Sequence, residues 1–336
     1  MTRLASTTAV FLALSAGLLS AQAALKIPLA TGLQVTNAIE NPRGDYESLL
    51  TVEKIDAGGV HIVFSGPRVT KPVHRTVRRI DLESSRHYQL RFGLEYPEVV
   101  ENSTALGTSK VVLSELRGGG EVKFSCCLLQ EINGQHLSGT LRRVESKPVL
   151  ISVLVNDKRV QLPTIHAAGK LWTQQSDFYF LDDPENPLAL MWKVGKQGLR
   201  VIRISYPSAA AAKRIETGLA MSGRVELHGI YFDIGSATIR PESEPVLKEI
   251  AGALSKNPSW KLSVEGHTDN IGGDAANMDL SRRRSAAVKD ALVTRYHVSG
   301  ARLTTTGFGA SRPKETNDTL EGRARNRRVE LVRDDR

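Results

Sequence analysis

The sequence predicts an α+β protein in two parts: a β-rich domain over residues 24–206 and an α/β sandwich over 224–336, joined by a helical linker at 207–223. Three observations carry this reading. Runs rich in β-branched and aromatic residues, bounded by Gly, Asn, Asp or Pro, dominate as far as Tyr206. An alanine-rich stretch follows. Beyond it strand and helix patterns alternate, which is how helices packed on a sheet read in sequence. The 336 residues suffice for about two domains at 100–200 residues each.

The first residues, "MTRLASTTAVFLALSAGLLSAQA", hold one basic residue (Arg3), an apolar run from Ala9 to Leu19 and a small-x-small ending at Ala21-Gln22-Ala23. That is the layout of a cleaved export signal over 1–23. The apolar run falls short of the ~20 residues that span a bilayer. The mature chain is expected to be exported into the periplasm or cell envelope and mostly soluble, with membrane contact possible but not required.

In the β-rich part, "ESLLTVEKI", a turn at Ala57-Gly58-Gly59 and "VHIVFSG" read as a hairpin, and so do "PVLISVLV", Asn156-Asp157 and "KRVQLP". "EVKFSCCLL", "DFYFL", "LALMWKV" and "LRVIRISY" supply further strands. "GTSKVVLSELRGG" is a short helix, with Val111, Val112 and Leu116 at helical spacing and glycines after it. The adjacent Cys126 and Cys127 read as small strand residues, because neighbouring Cα atoms lie ~3.8 Å apart, below the usual disulfide range. An outer-membrane barrel is the alternative architecture. It requires strands of about 9–11 residues and aromatic girdles, whereas only 5% of this chain is aromatic.

In the C-terminal part, "RVELHGIYF" is a strand and "PESEPVLKEIAGALSKNP" a helix opened by proline and acids. The strand "WKLSVEG", the long helix "NMDLSRRRSAAVKDALVTRYH" and the strands "RLTTTGFG" and "NRRVELVR" follow. Two residues point to a site. Asp269 sits just beyond a strand, where loops commonly carry function. At ~100° per residue Arg284 falls about 40° from Leu280, among Ala287, Val288 and Ala291, and an inward-facing guanidinium requires an anion. Asp269 and Arg284 either pair with each other or face a gap in which an acid and a guanidinium meet a ligand's ammonium and carboxylate.

"IYFDIGSATIRPES", "VEGHTDNIGG", "NMDLSRRRSAAVKDAL", "LTTTGFGASRP" and "EGRARNRRVEL" occur in this order over residues 224–332. Together they resemble the OmpA-like peptidoglycan-binding domain, also found in Pal lipoproteins and flagellar stator proteins. The resemblance implies that the ligand is the diaminopimelate residue of the peptidoglycan stem. It places the family's aspartate on Asp269 and its arginine on Arg284, with Thr268, Asn277 and Arg327 lining the site. Residue by residue, Asn277 could equally cap the helix, Thr268 could be a loop residue and Arg327 a strand edge.

The formal charge of +9 would suit nucleic acid, but an exported protein meets wall polymers and anionic lipid instead. The histidines before Tyr206 are scattered, without HExxH or GxSxG. The expectation is therefore a non-catalytic wall anchor with no cofactor, metal site or nucleic-acid partner. Its N-terminal domain would serve as adaptor for an unidentified envelope protein. The alternative is a wall-targeted enzyme with its active site in the β-rich part.

Overall fold

The computed structural model describes residues 26–40, 44–90, 97–127, 136–206 and 213–334; the export signal expected at 1–23 lies outside them. Strands are β1 (Gln34–Glu40), β2 (Tyr46–Ile55), β3 (Gly59–Ser65), β4 (Val73–Arg78), β5 (His87–Gln89), β6 (Glu121–Cys127), β7 (Leu137–Arg143), β8 (Val149–Val155), β9 (Lys158–Leu171), β10 (Gln174–Leu181), β11 (Ala189–Val194) and β12 (Gln197–Ser205). The C-terminal strands are β13 (Arg224–Leu227), β14 (Leu262–Gly266), β15 (Leu303–Gly307) and β16 (Val329–Arg333). Helices are α1 (Arg79–Ser84), α2 (Lys110–Arg117), α3 (Arg214–Ser222), α4 (Glu244–Lys256), α5 (Asp274–Tyr296) and α6 (Leu320–Asn326).

The fold is β-rich first and α/β afterwards, as the sequence predicts. The first twelve strands form one sheet in the order β4-β3-β2-β1-β12-β11-β10-β9-β7-β6-β5. Strand β8 pairs with both β9 and β12, so β8 to β12 close into a ring of five. Among the described residues β4 and β5 end the path. The segment at 98–104 hydrogen-bonds to both of these strands, Thr76 N–H donating to the Glu98 carbonyl and Gln89 N–H to the Thr104 carbonyl, each at 2.8 Å. Two buried cores lie on this sheet. One gathers Leu50, Ile62, Ile151 and Val201; the other gathers Leu113, Phe124, Phe178 and Phe180 around α2. Cys126 is buried in the second; the Cys127 side chain lies outside the described set.

The C-terminal sheet runs β13-β16-β14-β15, with β14 parallel to β15 and antiparallel to β16. Its core joins Leu247, Ile250 and Leu254 of α4 to Val288 and Leu292 of α5 and to Leu262, Val264 and Leu331 of the sheet. Helix α3 adds the fully buried Ile215 and Leu219 to the same core. The strand expected over 224–232 stops at Leu227, because Gly229 takes φ 92° and turns the chain.

Helix α5 lies on the sheet through small residues. Its buried stripe includes Ser281, Ser285, Val288 and Leu292, while Leu280 and Ala287 are only half-buried, with Arg284 at the edge of the stripe rather than in its middle. Hydropathy could not mark two serines as the inner face. The reason for them is close approach: a Cβ on Gly266 would lie 2.3 Å from the Ser281 carbonyl oxygen, and one on Gly307 would lie 2.5 Å from the Arg282 nitrogen. Gly266→Ala is therefore expected to push α5 off the sheet at a cost of about 1–3 kcal/mol or more, read as a lowered melting temperature.

Candidate functional site

Gly266 ends β14, and the next residues are fixed by backbone hydrogen bonds to neighbouring segments. His267 N–H donates to the Arg328 carbonyl at 3.0 Å and Thr268 N–H to the Gly309 carbonyl at 2.9 Å. This delivers Asp269 to the C-terminal edge of the sheet, beside the first turn of α5. Its Oδ1 accepts from Ile271 N–H at 3.1 Å, a local turn of the kind aspartate favours. Asn277 does not cap α5, whose N-cap is Gly273. Its amide instead donates to the carbonyls of Asp269 and Ile271, each at 3.2 Å, and so clamps the loop to the helix.

The five residues singled out by sequence, Thr268, Asp269, Asn277, Arg284 and Arg327, line one cavity of about 230 Å³. Asp269 takes Arg327 as its partner: Asp269 Oδ2 accepts from Arg327 Nη1 at 2.7 Å, and both side chains are largely buried. Arg284 stands apart. Its Nε donates to the Ser236 carbonyl at 3.0 Å, and its guanidinium lies over the Phe232 ring, 4.8 Å from the centroid. Among the described residues its two terminal nitrogens make no hydrogen bond. Burial, with the charge of Arg327 nearby, pulls its pKa down to about 10, against the opposing pull of Glu47 and Asp269. The hydroxyl of Thr268 is buried without a hydrogen-bond partner. Arg282 and Arg283 are exposed, and Arg283 pairs along the helix with Asp279 at 2.8 Å.

Sequence reasoning missed two sets of contributors. Phe232 and Ser236 orient Arg284 from the segment between β13 and α4, and they were visible only as part of a quoted motif. Asp45, Tyr46 and Glu47 line the same cavity from the N-terminal domain. Nothing in a sequence connects them to residues more than two hundred positions away. The two domains meet through α6, where Ala324 and Leu320 pack on Ala38 and Ile202. Around this contact Arg323 pairs with Asp45 at 2.7 Å and Arg200 with Glu321 at 2.8 Å. Helix α6 thus positions Arg327, which directly follows it, while resting on the N-terminal sheet.

A second charged group lies across the sheet. Glu265, His267 and Glu330 place possible ligand atoms within 4.8 Å of one another. The two carboxylates share the Arg224 guanidinium, and Glu330 also accepts from Arg328 at 2.6 Å. Guanidinium groups therefore stand where a cation would, and the cluster reads as a buried ion network. In the β-rich domain, Ser125 Oγ lies 2.8 Å from His87 Nδ1. The other ring nitrogen faces Gln89 Oε1 at 3.4 Å, not a carboxylate. Burial and the adjacent His136 hold the His87 pKa down to about 4, which suits a packed neutral ring better than a general base.

Residues 231–327 match the OmpA family, so the last third of the chain is an OmpA-like domain. Over 107 residues it is 46% identical to outer membrane porin F of Pseudomonas aeruginosa, covering 32% of this chain and 30% of that protein. It is 39% identical over 103 residues to the peptidoglycan-binding protein ArfA of Mycobacterium tuberculosis, covering 31% of each. The chain therefore matches less than a third of the length of these relatives. Among solved structures, the cell wall anchor of the T6SS from Pseudomonas aeruginosa is 30% identical, with 38% of this chain and 96% of that chain covered and a TM-score of 0.30. Among the described residues no helix is long and apolar enough to cross a membrane.

Proposed function

We propose that this protein is a non-catalytic anchor of the cell envelope whose C-terminal domain holds the diaminopimelate stem of peptidoglycan. The carrying observation is the cavity in which Arg284 presents a guanidinium with unused donors beside the Asp269–Arg327 pair and the unpartnered Thr268 hydroxyl. A planar fork suits a carboxylate, which it can engage with two parallel hydrogen bonds. The acid of Asp269 suits an ammonium, and a diaminopimelate side chain carries both groups at one end. The name of the ArfA relative supports a wall ligand. In this reading the N-terminal domain links the wall to another envelope component.

The test compares sacculi. The purified protein is expected to sediment with diaminopimelate-type walls and to leave lysine-type walls, which lack the side-chain carboxylate, largely unbound. Equal binding to both would overturn the reading. A steep loss with added salt on both would assign the contact to general charge.

A further inference from the structure

The β1–β2 connection brings the N-terminal domain to the rim of the cavity, and Asp45 and Glu47 sit there in different ways. Asp45 is a staple, in direct contact with Arg323 at 2.7 Å. Glu47 is not. Its carboxylate reaches only to 3.7 Å from Arg327 Nη2, beyond hydrogen-bond range, and that nitrogen is itself buried without a partner. A half-buried carboxylate held near two guanidinium groups yet, among the described residues, hydrogen-bonded to neither keeps its oxygens able to accept from a ligand. Burial indeed raises the Glu47 pKa, against the lowering effect of Arg327, Arg284 and Arg203.

The lining of the cavity gives Glu47 a purpose. From the C-terminal domain the cavity is lined by Arg284 and Arg327 against Asp233 and Asp269, and Asp269 is already taken up by Arg327. Glu47, hydrogen-bonded to neither guanidinium, adds an acid that this pair does not consume, which suits a ligand end that carries an ammonium as well as a carboxylate. Resting on the wall-binding reading above, we propose that Glu47 of the N-terminal domain is a specificity-determining member of the site. It offers a second acid to the ligand's ammonium and disfavours ligand ends that carry only negative charge.

The experiment is calorimetric titration of the full chain with free meso-diaminopimelate and with pimelate, the same seven-carbon dicarboxylate without ammonium groups. The wild-type protein is expected to prefer diaminopimelate. Glu47→Gln, which keeps the shape, should weaken diaminopimelate about tenfold, as loss of a charge-assisted contact does, and should leave pimelate unchanged or tighter. Glu47→Asp, which keeps the charge, should retain part of the preference. Melting curves on each variant establish that the fold is intact, and a Glu47→Gln chain that does not fold would make Glu47 a structural residue and overturn the proposal. An unchanged preference in Glu47→Gln would place Glu47 outside the site. Tighter diaminopimelate binding in that variant would make Glu47 a plug that the ligand displaces. Either result overturns the proposal while leaving the wall-binding reading standing. Failure of the wild-type chain to bind diaminopimelate at all would overturn that reading, and this one with it.

Discussion

Arg284→Ala is expected to weaken binding to diaminopimelate-type sacculi by tenfold to a hundredfold while the protein stays folded. Charge-assisted hydrogen bonding from the guanidinium contributes roughly 1.5–3 kcal/mol, which is about tenfold to a hundredfold. Stability should fall by less than the loss of a buried ion pair costs, because among the described residues no carboxylate is hydrogen-bonded to Arg284. The variant loses the hydrogen bond to the Ser236 carbonyl and the contact with Phe232, together about 1–2 kcal/mol. Arg282→Ala, on the exposed side of the same helix, is the control and should bind as before. Pull-down and melting curves on both variants decide the matter. A binding loss no greater than the unfolded fraction would mean that Arg284 is only a packing residue.

Asp269→Ala is expected to behave differently, with a loss of stability as well as of binding. Asp269 is the hydrogen-bonded partner of Arg327, and the two are largely withdrawn from water. Removing one member of a buried pair costs ~3–5 kcal/mol, because the other charge is left uncompensated. Glu47 at 3.7 Å is too far to replace it. The melting temperature should fall by on the order of 10 °C. The companion double variant, Asp269→Ala with Arg327→Met, removes both charges and should recover much of that loss without recovering wall binding. If Asp269→Ala alone melted like the wild type, the pair would have no structural role and Asp269 would be free for the ligand alone.

The contrast between these two residues marks where sequence reasoning reached and where it stopped. Asp269 and Arg284 were legible from residue type and position, an acid after a strand and a guanidinium near a helix's inner face. Their partners were not. Position in sequence gave no reason to match Asp269 with Arg327 rather than with Arg284, since that choice depends on where α6 ends. Helix α6 itself, "LEGRARN", carries no apolar stripe by which periodicity could find it. Its helicity rests on Thr319, whose hydroxyl accepts from Gly322 N–H at 3.0 Å, and on docking against β1 and β12. In the β-rich domain the hairpins at 47–66 and 148–163 were legible through their turns, though β9 runs on to Leu171, whereas β4 and β7 carry basic and polar residues at alternate positions and gave no comparable signal. Sheet order was beyond reach, because pairing of β1 with β12 joins residues about 160 positions apart.

The cavity's placement at the seam between the two domains has a thermodynamic consequence. Residues on both sides of the seam line it, so an occupant that touches both adds its binding free energy to the equilibrium between docked and separated halves. Such linkage is reciprocal. On the wall-binding reading proposed above, occupancy draws the halves together, and anything that pries Asp45 and Glu47 away from Arg323 and Arg327 loosens the grip by the same factor. In this arrangement the grip on an occupant and the relative posture of the two domains are two readings of one equilibrium.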